Sequence, residues 1–202
     1  MKKLAIISTL LIACSLKALC YDFTNKEMAL IGYNLTLSTE AKALIEKLNP
    51  SIFATPKSET KFWYLCYNSV ETYMKMKGIN AFPYQCFDKK ASYDSYGFPK
   101  IAVASAVKTG ISKFYYKLDI DISVVEQSEG KAKLSVKMWL TPFKSPSIIP
   151  MDKLDVDVET EVTLNNQFLE GFTRQADEVA EGTLMSAMNK AADKLTKVMI
   201  QK

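Results

Sequence analysis

The sequence predicts an α+β domain in which helices pack on one face of an antiparallel sheet. Three segments in the second half of the chain alternate apolar and polar residues, which is the period of a strand with one buried face. Two other segments carry apolar residues at helical spacing. Because an apolar sheet face and an apolar helix stripe must cover each other, the expected architecture is a two-layer sandwich.

The first twenty residues have the features of an export signal. Met1 is followed by two lysines, and residues 4–16 form an apolar run too short to span a bilayer as a helix. Small residues then suit cleavage by signal peptidase after Cys20. Residues 21–202 would form a single α+β domain in the periplasm or outside the cell.

A second route of processing competes with simple secretion. Residues 11–14 resemble the lipobox of bacterial lipoproteins, in which the cysteine, here Cys14, is lipidated and becomes the first residue. Residues 1–13 would then be the leader, and Ser15 is typical of sorting to the outer membrane. Lipidation leaves three thiols, whereas cleavage after Cys20 leaves an even pair, which favours simple secretion.

Composition excludes several classes of function. The chain has no histidine, so it cannot form a Ser-His-Asp triad, a Cys-His pair or a histidine-ligated metal site. Of its 26 basic residues three lie in the leader, so that 23 face the 22 acidic residues of the mature chain. Arg174 is the single arginine, although arginine forks are the usual contacts to phosphate and guanine. We expect no cofactor, no metal and no nucleic-acid partner.

Helices dominate the first half of the predicted domain. Residues 39–48 have helical spacing and end at Asn49. A longer central helix is predicted over about residues 59–77, with Ser58 as its N-cap and Gly78 at its C-terminal end. Shorter elements are expected around these helices: strands over residues 51–54 and 79–82 and a helix over residues 100–108.

Three strands and a long helix complete the domain. The strands are predicted over about residues 113–125, 131–141 and 153–164, with a glycine-containing hairpin between the first two. Their apolar faces need a cover. An apolar stripe over about residues 167–200 predicts one terminal helix, capped by Asn165 and Asn166, that lies across the dry face of the sheet.

Two cysteines of the mature chain predict a disulfide. Cys66 lies on the central helix and Cys86 follows about one strand later, a spacing that lets the chain reverse and bring them together. Such a bond stabilises by on the order of 3 kcal/mol in the chain-entropy model if it is unstrained. A catalytic dithiol is normally a Cys-x-x-Cys pair, so we interpret this pair as structural.

Six acidic residues on the polar side of the strands raise two alternatives, a calcium site and a pair of hydrolase carboxylates. Hairpin register places Asp119 or Asp121 opposite Lys137, so cross-strand charge pairing explains the pattern without a ligand. A carboxylate-based hydrolase stays as an alternative. The six residues are Asp119, Asp121, Asp155, Asp157, Glu159 and Glu161.

Aromatic residues supply the candidate binding positions. Residues 83–99 form a long aromatic loop, and amphipathic rings at a rim are typical of recognition surfaces. Tyr115 and Trp139 fall on the wet side of neighbouring strands, as a direct or diagonal pair. The alternative for the loop is that its rings fold back and pack as a small core. The candidates are Tyr93, Tyr96, Phe98, Tyr115 and Trp139.

These observations predict an exported, non-enzymatic binding or scaffold domain of the cell envelope. Its partner is expected to be an envelope protein or a glycan, and a lipid on Cys14 is the only membrane contact the sequence suggests. Besides the hydrolase, a self-associating structural subunit is an alternative. In outline the element order is similar to small periplasmic α/β domains of envelope-assembly lipoproteins, a likeness of architecture that transfers no residue.

Overall fold

The computed structural model describes residues 22–84, 93–165, 168 and 180–201. In this part of the chain it confirms the predicted α+β sandwich, and no helix there is long and apolar enough to cross a membrane. The strands are β1 (Glu27–Leu37), β2 (Asn80–Pro83), β3 (Phe114–Ser128), β4 (Lys131–Lys144) and β5 (Leu154–Thr163), and the helices are α1 (Thr39–Leu48), α2 (Pro56–Met76), α3 (Val103–Thr109) and α4 (Leu184–Ile200).

The sheet is mixed, with the strand order β2-β1-β3-β4-β5. The antiparallel unit of β3, β4 and β5 is present as predicted. β1 pairs in parallel with both β2 and β3, which requires crossover connections. Helices α1 and α2 supply the first crossover, and the segment with α3 supplies the second.

Strand β1 was not predicted, because a bulge interrupts its alternation. The register with β3 shifts between Leu30 and Gly32. Before the bulge Met28 and Leu30 belong to the main core, and after it Tyr33 and Leu35 do. The apolar parity therefore changes from even to odd numbers, which hides the period of the strand.

Helices α1, α2 and α4 cover one face of the sheet, here called the inner face. Residues 184–189 of α4 are all buried, because the helix lies between the sheet and α2. A buried polar contact joins the two helices, because the Ser69 hydroxyl donates to Oδ1 of Asn189 at 2.6 Å. A buried hydrogen bond of this kind favours one pairing of the helices, since sliding either of them would break it.

The opposite, outer face is covered at one end by a second, smaller core. Helix α3 and residues near it pack there on the first residues of β1 and β3. The prediction of one uniformly wet face is therefore wrong at this end. The members of the second core are Ala29, Ile31, Tyr84, Ile101, Ala106, Tyr115 and Phe143.

The predicted helix boundaries are confirmed in part. α1 has the predicted bounds, with Ser38 as its N-cap. α2 begins earlier than predicted, because Thr55 is the N-cap and Ser58 completes a capping box with it. Residues 51–54 form turns and bends, so the strand predicted there is wrong.

The terminal helix begins later than predicted. Residues 180–183 are not helical, and Thr183 is the N-cap of α4, where its hydroxyl accepts a hydrogen bond from the Ser186 amide at 3.1 Å. Gly182 precedes this cap with φ of 74°, a conformation that a residue with a side chain rarely adopts. The continuous helix predicted over residues 167–200 is therefore wrong at this point, and residues 166–167 and 169–179 lie outside the described residues.

Strand β5 is an edge of the sheet. The ammonium group of Lys194 in α4 donates a hydrogen bond to the backbone carbonyl of Asp157 in this strand at 2.9 Å. One backbone acceptor of β5 is thus occupied by a side chain of the same chain.

The cap at Thr183 predicts a loss of stability on truncation. Thr183→Ala removes the acceptor for the Ser186 amide, so the free energy of unfolding should fall by about 1 kcal/mol in urea denaturation. Thr60→Ala, the same change inside α2, should be neutral or stabilising because alanine is the better helix former. Equal effects of the two substitutions would contradict a helix start at this position.

Candidate functional site

A shallow groove of about 350 Å³ crosses the outer face between β1, β3 and the residues before α3. Sites for small molecules begin at about 300 Å³, so the groove has room for a short peptide segment or one or two sugar units. The segment of residues 100–102 forms its wall and is called the wall segment below. The lining residues are Ile31, Gly32, Tyr33, Asn34, Lys100, Ile101, Ala102, Lys117, Leu118 and Asp119.

The bulge in β1 builds the groove. Its extra residue, Ile31, is buried in the second core, and its carbonyl accepts a hydrogen bond from the Ile101 amide at 2.9 Å. This bond holds the wall segment over the outer face. Gly32 is the floor, because it has no side chain and the stem of Lys117 lies across it. An isolated glycine in an apolar segment is a sequence signal for a bulge, and it is the signal that would have revealed this site.

Asp119 gives the groove its electrostatic character. The side chain is half-buried, and burial raises the pKa of its carboxyl group above the ordinary range. Lys153 and Lys117 oppose this shift, as does a hydrogen bond with Asn34, whereas Asp121 adds to it. The shifted pKa and the position in a groove make Asp119 a candidate binding residue.

Trp139 lies beside the groove and not beside Tyr115. The register places Trp139 opposite Asp119, while Tyr115 is opposite Phe143, four residues away along the strand. Four residues correspond to about 13 Å, so the predicted pair of Tyr115 and Trp139 is wrong. The ammonium group of Lys153 lies over the Trp139 ring, 4.4 Å from its centroid. Trp139 is therefore engaged within the chain, and a ligand that used this ring face would have to displace Lys153.

Tyr115 is not exposed to solvent. It has an exposed fraction of 0% in the second core, where α3 covers the end of the sheet, and its hydroxyl accepts a hydrogen bond from the Ser112 amide at 3.1 Å. The prediction that it faces solvent is wrong. Tyr115 is buried by α3, and the alternation of residues in β3 does not reveal that another helix packs there.

The described part of the aromatic loop folds back on α2. Tyr96 stacks on Trp63 with 3.9 Å between ring centroids, and its hydroxyl donates to Glu59 at 2.8 Å. Phe98 is 1% exposed and packs on Tyr64, with ring centroids 4.5 Å apart. The alternative of a packed aromatic cluster is thus confirmed for these two rings. Tyr93 is 48% exposed and is the most accessible of the loop candidates.

The acidic residues of the outer face pair with lysines as the hairpin register predicts. Asp121 is opposite Lys137, which also lies 3.5 Å from a carboxylate oxygen of Asp157. Further along the strands Lys131 contacts Glu161 at 2.6 Å, and Lys133 pairs with Glu159. Within the described residues no three carboxylate, cysteine or histidine side chains lie close enough to hold a metal ion.

Cys66 lies on the inner side of α2, and no disulfide is present among the described residues. It is completely buried, and burial raises the pKa of the thiol, so its reactive thiolate is scarce at neutral pH. Cys86 lies outside the described residues, as do Cys14 and Cys20. The disulfide between Cys66 and Cys86 stays a prediction.

Comparison with known proteins gives only distant structural likeness. No known protein family matches the chain, and no curated protein matches it in sequence. A homologue of the neuraminyllactose-binding hemagglutinin from Helicobacter pylori is 10% identical, with 90% of this chain and 87% of that chain covered and a TM-score of 0.38. A hypothetical protein from Chlamydia trachomatis is 10% identical (88% and 94% covered, TM-score 0.46). A minor lipoprotein from Acinetobacter baumannii is 8% identical (88% and 92%, TM-score 0.37). At this level of similarity none of the three assigns a function to this chain.

The burial of Asp119 predicts a pH-dependent stability difference. Because the folded pKa is raised above the unfolded one, the ionised carboxyl destabilises the fold as pH rises through and above its ordinary range. Asp119→Asn should therefore be more stable than the unaltered protein at pH 7, and this gain should shrink in acid. Thermal denaturation at several pH values measures it.

The matched control is Asp155→Asn, an exposed acid on the same face, for which the stability change should be smaller. A loss of stability for Asp119→Asn at neutral pH would show that Asp119 stabilises the fold.

Proposed function

We propose that this chain is an exported protein of the cell envelope that binds a partner non-covalently in the groove of the outer face. The observation that carries the binding proposal is the half-buried Asp119, which lines the groove with Lys117 and Asn34 next to the bulge of β1. Export is proposed from the basic start and short apolar run of the leader. The compartment is the periplasm or the cell exterior, with anchoring to the outer membrane if Cys14 is lipidated.

The chemistry of the groove suits a polar ligand without a large charge. Asp119 accepts hydrogen bonds, while Lys100 and Lys117 provide donors on the opposite sides. Mixed polar groups around the Gly32 floor are suited to a peptide segment of an envelope protein or to the hydroxyl groups of a glycan. The exposed wall segment gives such a ligand an edge to lie against.

A hydrolase is the second candidate, and Asp119 is the reason to keep it. A raised pKa is the property that a general acid needs, and Asp121 lies two residues further along the same face. Two residues of a strand span roughly 7 Å, which is within the separation of an inverting carboxylate pair. Binding is favoured because Asp121 does not line the groove and faces Lys137 in the sheet register.

The mass of the mature protein from its native host tests export and processing. A start at Tyr21 indicates secretion, a diacylglycerol adduct on Cys14 indicates a lipoprotein, and both support an envelope location. An intact leader with Met1 in the purified protein contradicts the proposal. The same spectrum tests the disulfide, because a Cys66–Cys86 bond lowers the mass by two hydrogens.

Site-specific photocrosslinking in the host tests the groove. A photoreactive residue in place of Ala102, which is exposed on the wall segment, should capture a protein or glycan partner. The same residue at Glu129, in the exposed hairpin at the far end of β3, is the matched control and should capture none.

Added substitutions distinguish the two candidate functions. Lys117→Gln should lower the yield of the Ala102 adduct several-fold in either case. Asp119→Asn should also lower it if Asp119 binds the partner, but should increase it if Asp119 is a general acid, because substrate would accumulate. An adduct at Ala102 that neither substitution affects would contradict a role of the groove.

A further inference from the structure

A loop between β4 and β5 presents two adjacent isoleucines to solvent. Ile148 is 58% exposed and Ile149 is 73% exposed in the described structure. They are called the tip below, together with Ser147. Single exposed apolar residues are ordinary, whereas adjacent exposed ones form an apolar patch, and such patches mark contacts with a partner or a membrane.

Hydrogen bonds hold the tip in a fixed shape. The Ser147 amide donates to the Lys144 carbonyl at 2.9 Å, and the Ile149 amide donates to the Ser147 hydroxyl at 3.0 Å. Below the tip, the Ser145 amide donates to the Lys113 carbonyl at 2.9 Å. The two isoleucines are therefore presented by a braced loop.

Two lysines lie at the base of the tip. Lys113 and Lys144 are exposed there, and their carbonyls accept the hydrogen bonds from the Ser145 and Ser147 amides, whereas Asp152 is the one acidic residue between Lys144 and Lys153. This local excess of positive charge contrasts with the balanced charge of the whole mature chain. Apolar side chains at the summit with lysines below them match an anionic phospholipid surface, where apolar groups enter the acyl boundary and ammonium groups meet phosphates.

The tip lies at the end of the domain where the described chain begins. The Phe23 amide donates to the Met199 carbonyl at 3.1 Å, and the Phe23 ring packs on Phe114 with 5.6 Å between centroids. Phe114 is directly opposite Lys144, from which the loop departs. Eight residues lie between Cys14 and Phe23, so an anchor at Cys14 would keep this end within about 32 Å of a bilayer.

We propose that the tip inserts into a phospholipid surface that carries anionic headgroups. Ile148 and Ile149 enter the boundary between headgroups and acyl chains, and Lys113 and Lys144 contact the phosphates. The outer face and its groove then stand away from the bilayer. The biological setting rests on the proposed export of the chain, but the contact itself is independent of the groove.

Partition to vesicles tests the proposal. The protein as purified from its host should bind vesicles of phosphatidylcholine mixed with phosphatidylglycerol more tightly than pure phosphatidylcholine, and salt should reduce the difference. If the protein has no lipid anchor, Ile148→Ser with Ile149→Ser should weaken binding roughly tenfold or more, because two apolar side chains lose their burial. Val125→Ser, which alters a side chain that is 51% exposed at the other end of β3, is the matched control and should leave binding unchanged.

If the protein carries a lipid anchor, it binds vesicles with or without the tip. Measuring how deep residue 149 lies in the bilayer then tests whether the tip inserts. The fluorescence added by Ile149→Trp should be quenched by lipids with brominated acyl chains, whereas that added by Val125→Trp should not. Absence of quenching at position 149 overturns the proposal. Adduct formation at Ala102 is measured separately, so a failure of the tip and a failure of the groove are distinguishable.

Discussion

The bulge at Ile31 and Gly32 is the feature on which both faces of the sheet depend. It shifts the register of β1 by one residue, so that Met28 and Leu30 on one side and Tyr33 and Leu35 on the other all reach the main core. The displaced residue turns its side chain into the second core, and its carbonyl fixes the wall segment. A regular strand would place either the apolar residues before this point or those after it on the wrong face.

Local sequence patterns predicted the elements whose neighbours are close in the chain. β3, β4 and β5 alternate regularly and are joined by short connections, so their pairing followed from the hairpin alone. The hairpin left either Asp119 or Asp121 opposite Lys137, and the structure places Asp121 there. The strands that pair in parallel with β1 are separated from it by long crossover connections, and a local hydrophobic period does not predict such pairs. The start of α4 was missed because an apolar stripe in the sequence continues across Gly182 and Thr183, where the backbone is not helical.

The candidate site could be predicted only in pieces. Asp119 belongs to a set of six alternating acids, and what distinguishes it is its position next to Asn34 and Lys117 under the wall segment. Asn34 comes from β1 and the wall segment from residues 100–102, and the sequence did not connect either of them with β3. Tyr115 and Phe98 illustrate the converse, since their aromatic character suggested recognition while helices from elsewhere in the chain cover them.

Lys194 has a consequence for how copies of this protein behave near one another. Its ammonium group occupies the Asp157 carbonyl on the open edge of β5, where an incoming strand would need that acceptor. The same strand carries an acid at every second position, so two such edges aligned side by side would bring carboxylates against carboxylates. The molecule thereby resists growth of the sheet from one copy to the next, and crowded copies would not join into fibres through the edge of β5.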